Sequence, residues 1–138
     1  MDVKVKLIDG GKIPEYKTEG AACADAYARL SGWKIVWLKP TLIPLGFAAE
    51  LPHGWEMLIR GRSGNGKKGR FVIHGTIDED YRGEISACIW SLLPFIVKGG
   101  DRIAQCAVRE AERVSFTQVN ELSETERGSG GFGHTGVS

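Results

Sequence analysis

The sequence has little net charge and no long apolar run. Its 18 Lys and Arg residues against 17 Asp and Glu residues give a formal net charge of +1, so no strong overall field favours stable binding to nucleic acid or to a membrane. No apolar stretch reaches the length of a membrane-spanning helix, and Met1 to Lys6 lacks the apolar core of a signal peptide. We therefore expect a cytoplasmic or otherwise intracellular protein in which any anion site is local.

Cysteine is also scarce. Cys23, Cys88 and Cys106 form an odd set with no C-x-x-C pair, which argues against both a disulfide framework and a zinc site. Each lies in an apolar or strand-like stretch. We expect all three to be small packing residues, as free cysteines usually are.

The sequence lacks a convincing amphipathic helix of ten residues or more. Its 19 glycines and 5 prolines instead separate short segments rich in β-branched and aromatic residues, a pattern typical of β-strands. These segments are 3–7, 34–38, 54–60, 71–74, 84–90, 102–108 and 114–118. With 138 residues and no linker or repeat, the pattern predicts one all-β domain, which is a sandwich, a jelly roll or a barrel.

Two glycine-rich stretches match nucleotide-binding patterns incompletely. Residues 61–68 fit a P-loop until the last position, where Lys68 replaces the Ser or Thr that would hold magnesium. Residues 131–136 fit G-x-G-x-x-G literally, but only two residues follow, so no helix or second strand completes a dinucleotide fold. Neither stretch predicts a nucleotide site of its class.

The most informative segment runs from Gly75 to Ile85 and reads GTIDEDYRGEI. Three consecutive acids are followed at once by Tyr81, and glycines bracket them. This composition predicts a tight β-hairpin that holds an acid and an aromatic ring at the surface. An ordinary acidic turn has the same composition, so the segment alone does not define a function.

Four other segments offer groups that suit phosphate binding. Asp25 lies among small residues, and the run Arg62-Ser63-Gly64 combines a guanidinium, a hydroxyl and an accessible amide. Such groups can surround phosphate oxygens from several directions. Gln105 lies near the start of a predicted strand. The glycine-rich C-terminal stretch, which could otherwise be a solvated tail, adds Arg127, Phe132 and Thr135.

Taken in order, the five segments resemble the five motifs of the homotrimeric dUTP diphosphatases, or dUTPases. The resemblance extends from Ala21 to Gly136 and is most specific in the stretches TIDEDYRG and RGSGGFGHTG. It implies a jelly-roll-like β-barrel over residues 1–126, a Gly-rich arm over residues 127–138 that closes over the active site, and a homotrimer with active sites shared between subunits. Cys23 and Gly61 depart from the family pattern, which usually has glycine and proline there.

The resemblance implies hydrolysis of dUTP to dUMP and pyrophosphate, a reaction that limits uracil incorporation into DNA and supplies dUMP for dTMP synthesis. Asp78 would be the general base that activates water for attack on the α-phosphorus. Tyr81 would pack against the deoxyribose and exclude a 2′-hydroxyl, although a core position for its ring stays open. Backbone groups of the hairpin, including those of Gly75, Thr76 and Ile77, would select uracil.

The remaining implied roles concern the phosphates. Arg62, Ser63 and Gly64 would contact the phosphate chain, but Arg62 could instead pair internally with Asp25, which would then support the site. Gln105 would assist the phosphates. The arm would contribute Arg127 at the γ-phosphate, Phe132 stacked on uracil, and Gly133, His134 and Thr135 near the phosphates; His134 could equally face solvent.

Mg²⁺ is the implied cofactor. We expect it to be held mainly by triphosphate oxygens and water, the usual ligands of this hard ion, with no dedicated protein metal site.

Two other functions stay open at the level of sequence. A dCTP deaminase shares the implied fold, but it needs a glutamate that activates water at the base and usually a doubled serine after its arginine, whereas Gly64 follows Ser63 here. A regulatory dUTPase scaffold that binds a protein partner is the second alternative, and an intact Asp78 does not exclude it.

Overall fold

We describe a computed structural model of the chain over residues 1–131. Eleven strands and one short helix follow one another along these residues. Their bounds are β1 Lys4–Leu7, β2 Ala24–Tyr27, β3 Trp33–Val36, β4 Thr41–Pro44, β5 Phe47–Glu50, β6 Trp55–Arg60, α1 Ser63–Gly66, β7 Arg70–Ile73, β8 Gly75–Ile77, β9 Ser86–Ser91, β10 Phe95–Lys98 and β11 Arg102–Glu110.

The strands form four small antiparallel sheets around one core. The largest has the order β2-β11-β6-β8, a second has the order β4-β9-β7, and the two-stranded pairs are β1-β5 and β10-β3. Alternation is clear along β9, where every second side chain is buried, because successive side chains of a strand point to opposite faces. The fully buried side chains of this core include Ile43, Leu45, Phe47, Ile59 and Ile85.

The all-β, jelly-roll-like fold predicted from the sequence is confirmed. In the described part of the chain the only helix is α1, with four residues, as the missing amphipathic pattern predicts. No helix among residues 1–131 is long and apolar enough to cross a membrane. The three cysteines are free, with Cys106 buried and the other two half-buried; burial raises the pKa of the Cys106 thiol to about 12.

The strand predicted over residues 114–118 is absent. This segment has no strand structure, and Phe116 is 95% exposed. Its alternating pattern pairs with no strand among residues 1–131, and a strand needs a neighbour to satisfy its backbone groups. Four strands were not predicted, namely β2, β4, β5 and β10. Each has four residues, a length at which the periodic signal is weak, and among strands of that length only β1, β3 and β7 were predicted.

The hairpin predicted around Asp78 is also wrong in its pairing. The turn forms, but the strands on either side of it belong to different sheets: β8 pairs with β6, whereas β9 pairs with β4 and β7. The strands β7 and β8 do not pair with each other either. The turn is therefore held by two sheets, which sequence periodicity cannot reveal.

Candidate functional site

The end of β8 positions Asp78. Pairing with β6 places Gly75 opposite Ile59 and Ile77 opposite Met57, so Asp78 follows directly at the Trp55 end of β6. The N–H of Tyr81 donates to the carbonyl oxygen of Asp78 over 3.2 Å and closes the turn.

The three acids of this turn have different environments. The carboxylate of Glu79 turns toward the protein, accepts the N–H of Gly54 and lies 2.9 Å from Nδ1 of His53. The Gly54 N–H and then His53 lower the pKa of Glu79, although burial opposes them. Asp78 and Asp80 are exposed. Within residues 1–131 the Asp78 carboxylate takes part in no side-chain hydrogen bond or ion pair, so it is available to a ligand.

Asp78 and Tyr81 line the same open cleft, which has a volume of about 330 Å³. The Tyr81 ring lies over Gly83, where an added Cβ would come within 2.3 Å of the Tyr81 hydroxyl. That hydroxyl donates to the backbone carbonyl of Glu84 over 3.1 Å. Tyr81 is 44% exposed, so it is not a core aromatic and its ring can contact a ligand. The other lining residues are Leu42, Thr76, Ile77, Glu84, Ile85 and Ser86.

Asp25 is the centre of a second cluster. Its side chain is 5% exposed and accepts from Nε of Arg62 at 3.1 Å, from Nη1 of Arg102 at 3.2 Å and from Nε2 of Gln105 at 3.3 Å. Asp25 and Gln105 are cross-strand partners of β2 and β11. Of the two roles considered for Arg62, the structure therefore shows the internal pair with Asp25.

Opposing effects act on the Asp25 carboxyl. Burial raises its pKa, but the hydrogen bond from Gln105, the charge of Arg62 and the hydrogen bonds from both arginines together hold the pKa below its ordinary value. Asp25 is therefore a buried anion that already accepts three hydrogen bonds. It fixes the positions of the guanidinium groups around it.

The arginines of this cluster border an open cleft. Arg62 and Arg102 line it together with Arg70 and Asn65, and the side chains of Arg62 and Arg102 are 27% and 46% exposed. Ser63 and Gly64 are exposed just beyond it. The three arginines outnumber the acid Asp101, which also lines the cleft, and the buried Asp25, and the positive charge that remains suits an anionic ligand such as a phosphate chain.

Sequence reasoning missed Arg102 as a member of this cluster. In a regular strand, residues 102 and 105 point to opposite faces. The pairing of β11 with β2 shifts its register between Arg102 and Ala104, and an irregularity of this kind changes the side to which a side chain points. Arg102 and Gln105 consequently both reach Asp25, and period-two counting gives no signal of it.

The structure does not bring the two clusters together within one chain. Asp78 follows the β8 residue that is opposite Met57, near one end of β6, whereas Arg62 lies beyond the other end of β6. About six residues of extended chain separate the position of Asp78 along β6 from that of Arg62. This corresponds to roughly 20 Å at ~3.3 Å per residue.

The C-terminal residues are described only in part. Arg127 is exposed, and its Nε donates to the carbonyl oxygen of Gly130 over 2.8 Å. The predicted contacts of Phe132, Gly133, His134 and Thr135 lie outside the described residues. Within residues 1–131 there is no group of three or more His, Cys, Asp or Glu side chains that could hold a metal ion.

Comparisons with known proteins show which family the chain is similar to. The family model described as dUTPase matches residues 9–136. Among curated proteins, the deoxyuridine 5′-triphosphate nucleotidohydrolase of Chlamydia trachomatis is 46% identical over 140 residues, covering 95% of each chain. The protein of the same name from Treponema denticola is 44% identical over 146 residues, covering all of both chains.

Solved structures share the fold. The dUTPase of Staphylococcus bacteriophage 80alpha, solved with dUPNHPP, superposes with a TM-score of 0.87 at 24% identity over 99% of each chain. A mutant dUTPase of the S. aureus phage phi11, described as coordinating a structural Mg(II) ion, has a TM-score of 0.80 at 18% identity and covers 88% of this chain and 99% of its own.

Proposed function

The chain belongs to the dUTPase family, which makes it a dUTP-hydrolysing enzyme, and we propose that Asp78 is the base that activates water in its reaction. The observation that carries this proposal is the difference between neighbouring acids. Glu79 is occupied by Gly54 and His53, whereas Asp78 is exposed in the cleft that it shares with Tyr81. A base needs this freedom, because it must accept a proton from water held at the substrate.

The proposed reaction is a single displacement at phosphorus. Asp78 accepts a proton from water as the water oxygen forms a bond to the α-phosphorus. The bond between the α-phosphorus and the oxygen that bridges to the β-phosphorus breaks, so that dUMP and pyrophosphate leave. Catalysis of this kind consists mainly of positioning and charge stabilisation.

The Asp25 cluster supplies the positive charge. Arg62 and Arg102 are oriented by Asp25, and their outer edges face the cleft where the triphosphate would lie. Ser63, Gly64 and Gln105 would add hydrogen bonds to phosphate oxygens. In this proposal Arg62 keeps its pair with Asp25 while its remaining N–H groups face the substrate, since the guanidinium has five donors.

The cleft lined by Asp78 and Tyr81 would bind the nucleoside. Tyr81 would pack on the deoxyribose and leave no space for a 2′-hydroxyl. Backbone groups of Gly75, Thr76 and Ile77 would bind uracil, and a cytosine edge would leave them unpaired at a cost of about 1–3 kcal/mol each. Arg127, Phe132, Gly133, His134 and Thr135 would close over the nucleotide as an arm of residues 127–138 attached to a barrel of residues 1–126.

Mg²⁺ fits this site as a partner of the substrate. The described residues offer no group of three or more His, Cys, Asp or Glu side chains for it, and the buried carboxylate of Asp25 already accepts from three donors. Triphosphate oxygens and water would therefore hold the ion, which supplies charge neutralisation along the phosphate chain.

We propose a homotrimer in which the two clusters of one site come from different subunits. The backbone positions of the base and of the phosphate-binding arginine are roughly 20 Å apart along β6, which favours a site that takes them from different chains. Two apolar surfaces favour association. One is the segment with exposed Val114, Phe116 and Leu122, and the other is the outer face of β4-β9-β7, where Leu42 and Ile73 are exposed.

Assays with four nucleotides test the function. The protein is incubated with dUTP, dCTP, dTTP and UTP, each with Mg²⁺, and the products are separated by chromatography. We expect dUMP and pyrophosphate from dUTP and little product from the others. Uracil nucleotides formed from dCTP would indicate the deaminase, and binding of dUTP without turnover would indicate a regulatory scaffold. We also propose that the enzyme acts inside the cell, where dUTP is formed, without a stable nucleic-acid or membrane partner.

A further inference from the structure

Glu84 lines the cleft that contains Asp78 and Tyr81, and its carboxylate is bound by Arg29. Its carboxylate forms a two-point ion pair with Arg29: Nε to Oε1 at 2.6 Å and Nη2 to Oε2 at 2.7 Å. Oε1 also accepts the N–H of Gly46 over 3.1 Å. The side chains of Arg29 and Glu84 are 31% and 24% exposed, and two-point, partly buried pairs are the strong and directional class of ion pair.

Arg29 is itself fixed to the barrel. Its backbone N–H donates to the carbonyl oxygen of Pro44 over 2.8 Å. Its side chain runs along Gly46, where an added Cβ would come within 3.1 Å of the Arg29 Cβ and 3.2 Å of its Cδ. Gly46 has a φ of +75°, a conformation that glycine adopts without strain. The guanidinium is therefore an anchor and not a mobile surface charge.

Glu84 connects this anchor to Tyr81. The Tyr81 hydroxyl donates to the backbone carbonyl of Glu84, so the residue that Arg29 holds by its side chain holds Tyr81 by its main chain. The same peptide unit donates the N–H of Ile85 to the carbonyl oxygen of Phe47 over 2.9 Å. One peptide plane thus joins the buried start of β5 to the hydroxyl of the proposed sugar-selecting ring.

The hydrogen bond from Arg29 lowers the pKa of Glu84, against burial, which raises it. The carboxylate is consequently charged at neutral pH, and the pair with Arg29 persists there. A neutral side chain at position 84 would keep one acceptor for Arg29 or Gly46 but would lose the charge that holds both.

We propose that Arg29 and Glu84 are positioning residues for sugar discrimination, because they fix the peptide that orients the Tyr81 ring. This inference rests on the proposed function, in which Tyr81 excludes a 2′-hydroxyl. The ring must be fixed, because a side chain that can move aside does not sterically exclude one additional oxygen atom. The pair would therefore act on the ratio of dUTP to UTP turnover more than on the rate with dUTP.

The test measures kcat/KM for dUTP and UTP, together with the melting temperature, in Glu84→Gln and Arg29→Met. We expect the ratio of kcat/KM for dUTP to kcat/KM for UTP to fall at least about fivefold in both variants. This factor corresponds to a small change in the free energy that discriminates the two substrates. The matched control is Glu50→Gln, which breaks the exposed pair with Lys4 and should leave the ratio unchanged. Arg29→Lys keeps the charge without the two-point geometry and should give a smaller loss in a protein that folds.

A second background separates positioning from general loosening. In Tyr81→Phe the hydroxyl bond to Glu84 is absent, so adding Glu84→Gln should lower the ratio no further. An equal further loss in that background, or an unchanged ratio in folded Glu84→Gln and Arg29→Lys, would overturn the inference. A wild-type enzyme that does not prefer dUTP over UTP would instead contradict the proposed function.

Discussion

Asp78 lies near one end of β6 and Arg62 lies beyond the other end, although both would contact one triphosphate in the proposed mechanism. The register of β8 on β6 places Ile77 opposite Met57, and Arg62 follows the other end of the strand. Because the strand is rigidly paired on both edges, no local movement of a loop closes this distance. In the proposed trimer, each cluster would be half of a site.

The first prediction concerns the base. Asp78→Asn keeps the shape of the side chain but cannot accept the proton of water, so kcat for dUTP should fall at least about 10²-fold while dUTP binding persists. Asp80→Asn is the matched control, since Asp80 is an exposed acid of the same turn with no proposed role. Comparable turnover by the two variants would remove Asp78 from the mechanism.

The second prediction concerns the ring of Tyr81. Gly83→Ala places a Cβ 2.3 Å from the Tyr81 hydroxyl and 2.6 Å from Cζ, so the ring must move and its bond to Glu84 is lost. Steady-state kinetics should show weaker preference for dUTP over UTP. Gly20→Ala is a suitable control because nothing lies within 4 Å of its added Cβ. Retention of full preference by Gly83→Ala would show that the ring position does not set it.

The third prediction concerns pH and Asp25. The folded-state pKa of Asp25 lies below the ordinary value of 3.8, so its contribution to stability is complete above that value and is lost as pH falls through the lower, folded pKa. Asp25→Asn should lower the free energy of unfolding by about 1–3 kcal/mol at neutral pH, and its difference from the wild type should shrink in strong acid.

Urea unfolding at several pH values, at one fixed protein concentration because subunit association contributes, measures this difference. Asp80→Asn should change stability by less than about 0.5 kcal/mol. A deficit in Asp25→Asn that stays constant down to strong acid would mean that the charge of Asp25 does not stabilise the fold.

The class of the fold was easier to predict from the sequence than the pairing of its strands. Short alternating segments and the absence of helix periodicity predicted the all-β class, and the structure confirms it. The pairing could not be predicted, because β8 has three residues and its partner, β6, is distant in sequence. Residues 114–118 show the reverse error, since their alternation is genuine but they pair with no strand in the described part of the chain.

Most of the site was predicted by residue type, and the contact between Arg62 and Asp25 was one of two alternatives for that arginine. The family resemblance pointed to Asp78 among residues 78–80, and the structure adds that Glu79 is held by Gly54 and His53, whereas Asp78 is exposed. Arg102 was missed because an irregular register in β11 brings it to Asp25. Such an irregularity depends on the neighbouring strand, so the residue periodicity of the irregular strand gives no sign of it.

The last prediction tests the shared site. Asp78→Asn and the double variant Arg62→Gln/Ser63→Ala should each be folded, inactive and trimeric, with light scattering reporting three times the 15.0 kDa chain. The two proteins are unfolded together, refolded at equal concentration and assayed with dUTP. If the base and the phosphate cluster of one site come from different subunits, roughly one quarter of the sites in randomly mixed trimers receive two intact halves.

Recovered activity of that order is the expected result, because each defect is then supplied by a neighbour. If both clusters served a site within one chain, every chain would carry one defect and no mixture could restore turnover. Mass spectrometry of differently tagged chains must show that mixed trimers have formed. An inactive preparation that contains mixed trimers would mean that the roughly 20 Å between Asp78 and Arg62 is closed within the subunit, by a rearrangement of β6 and β8 that the paired strands do not indicate.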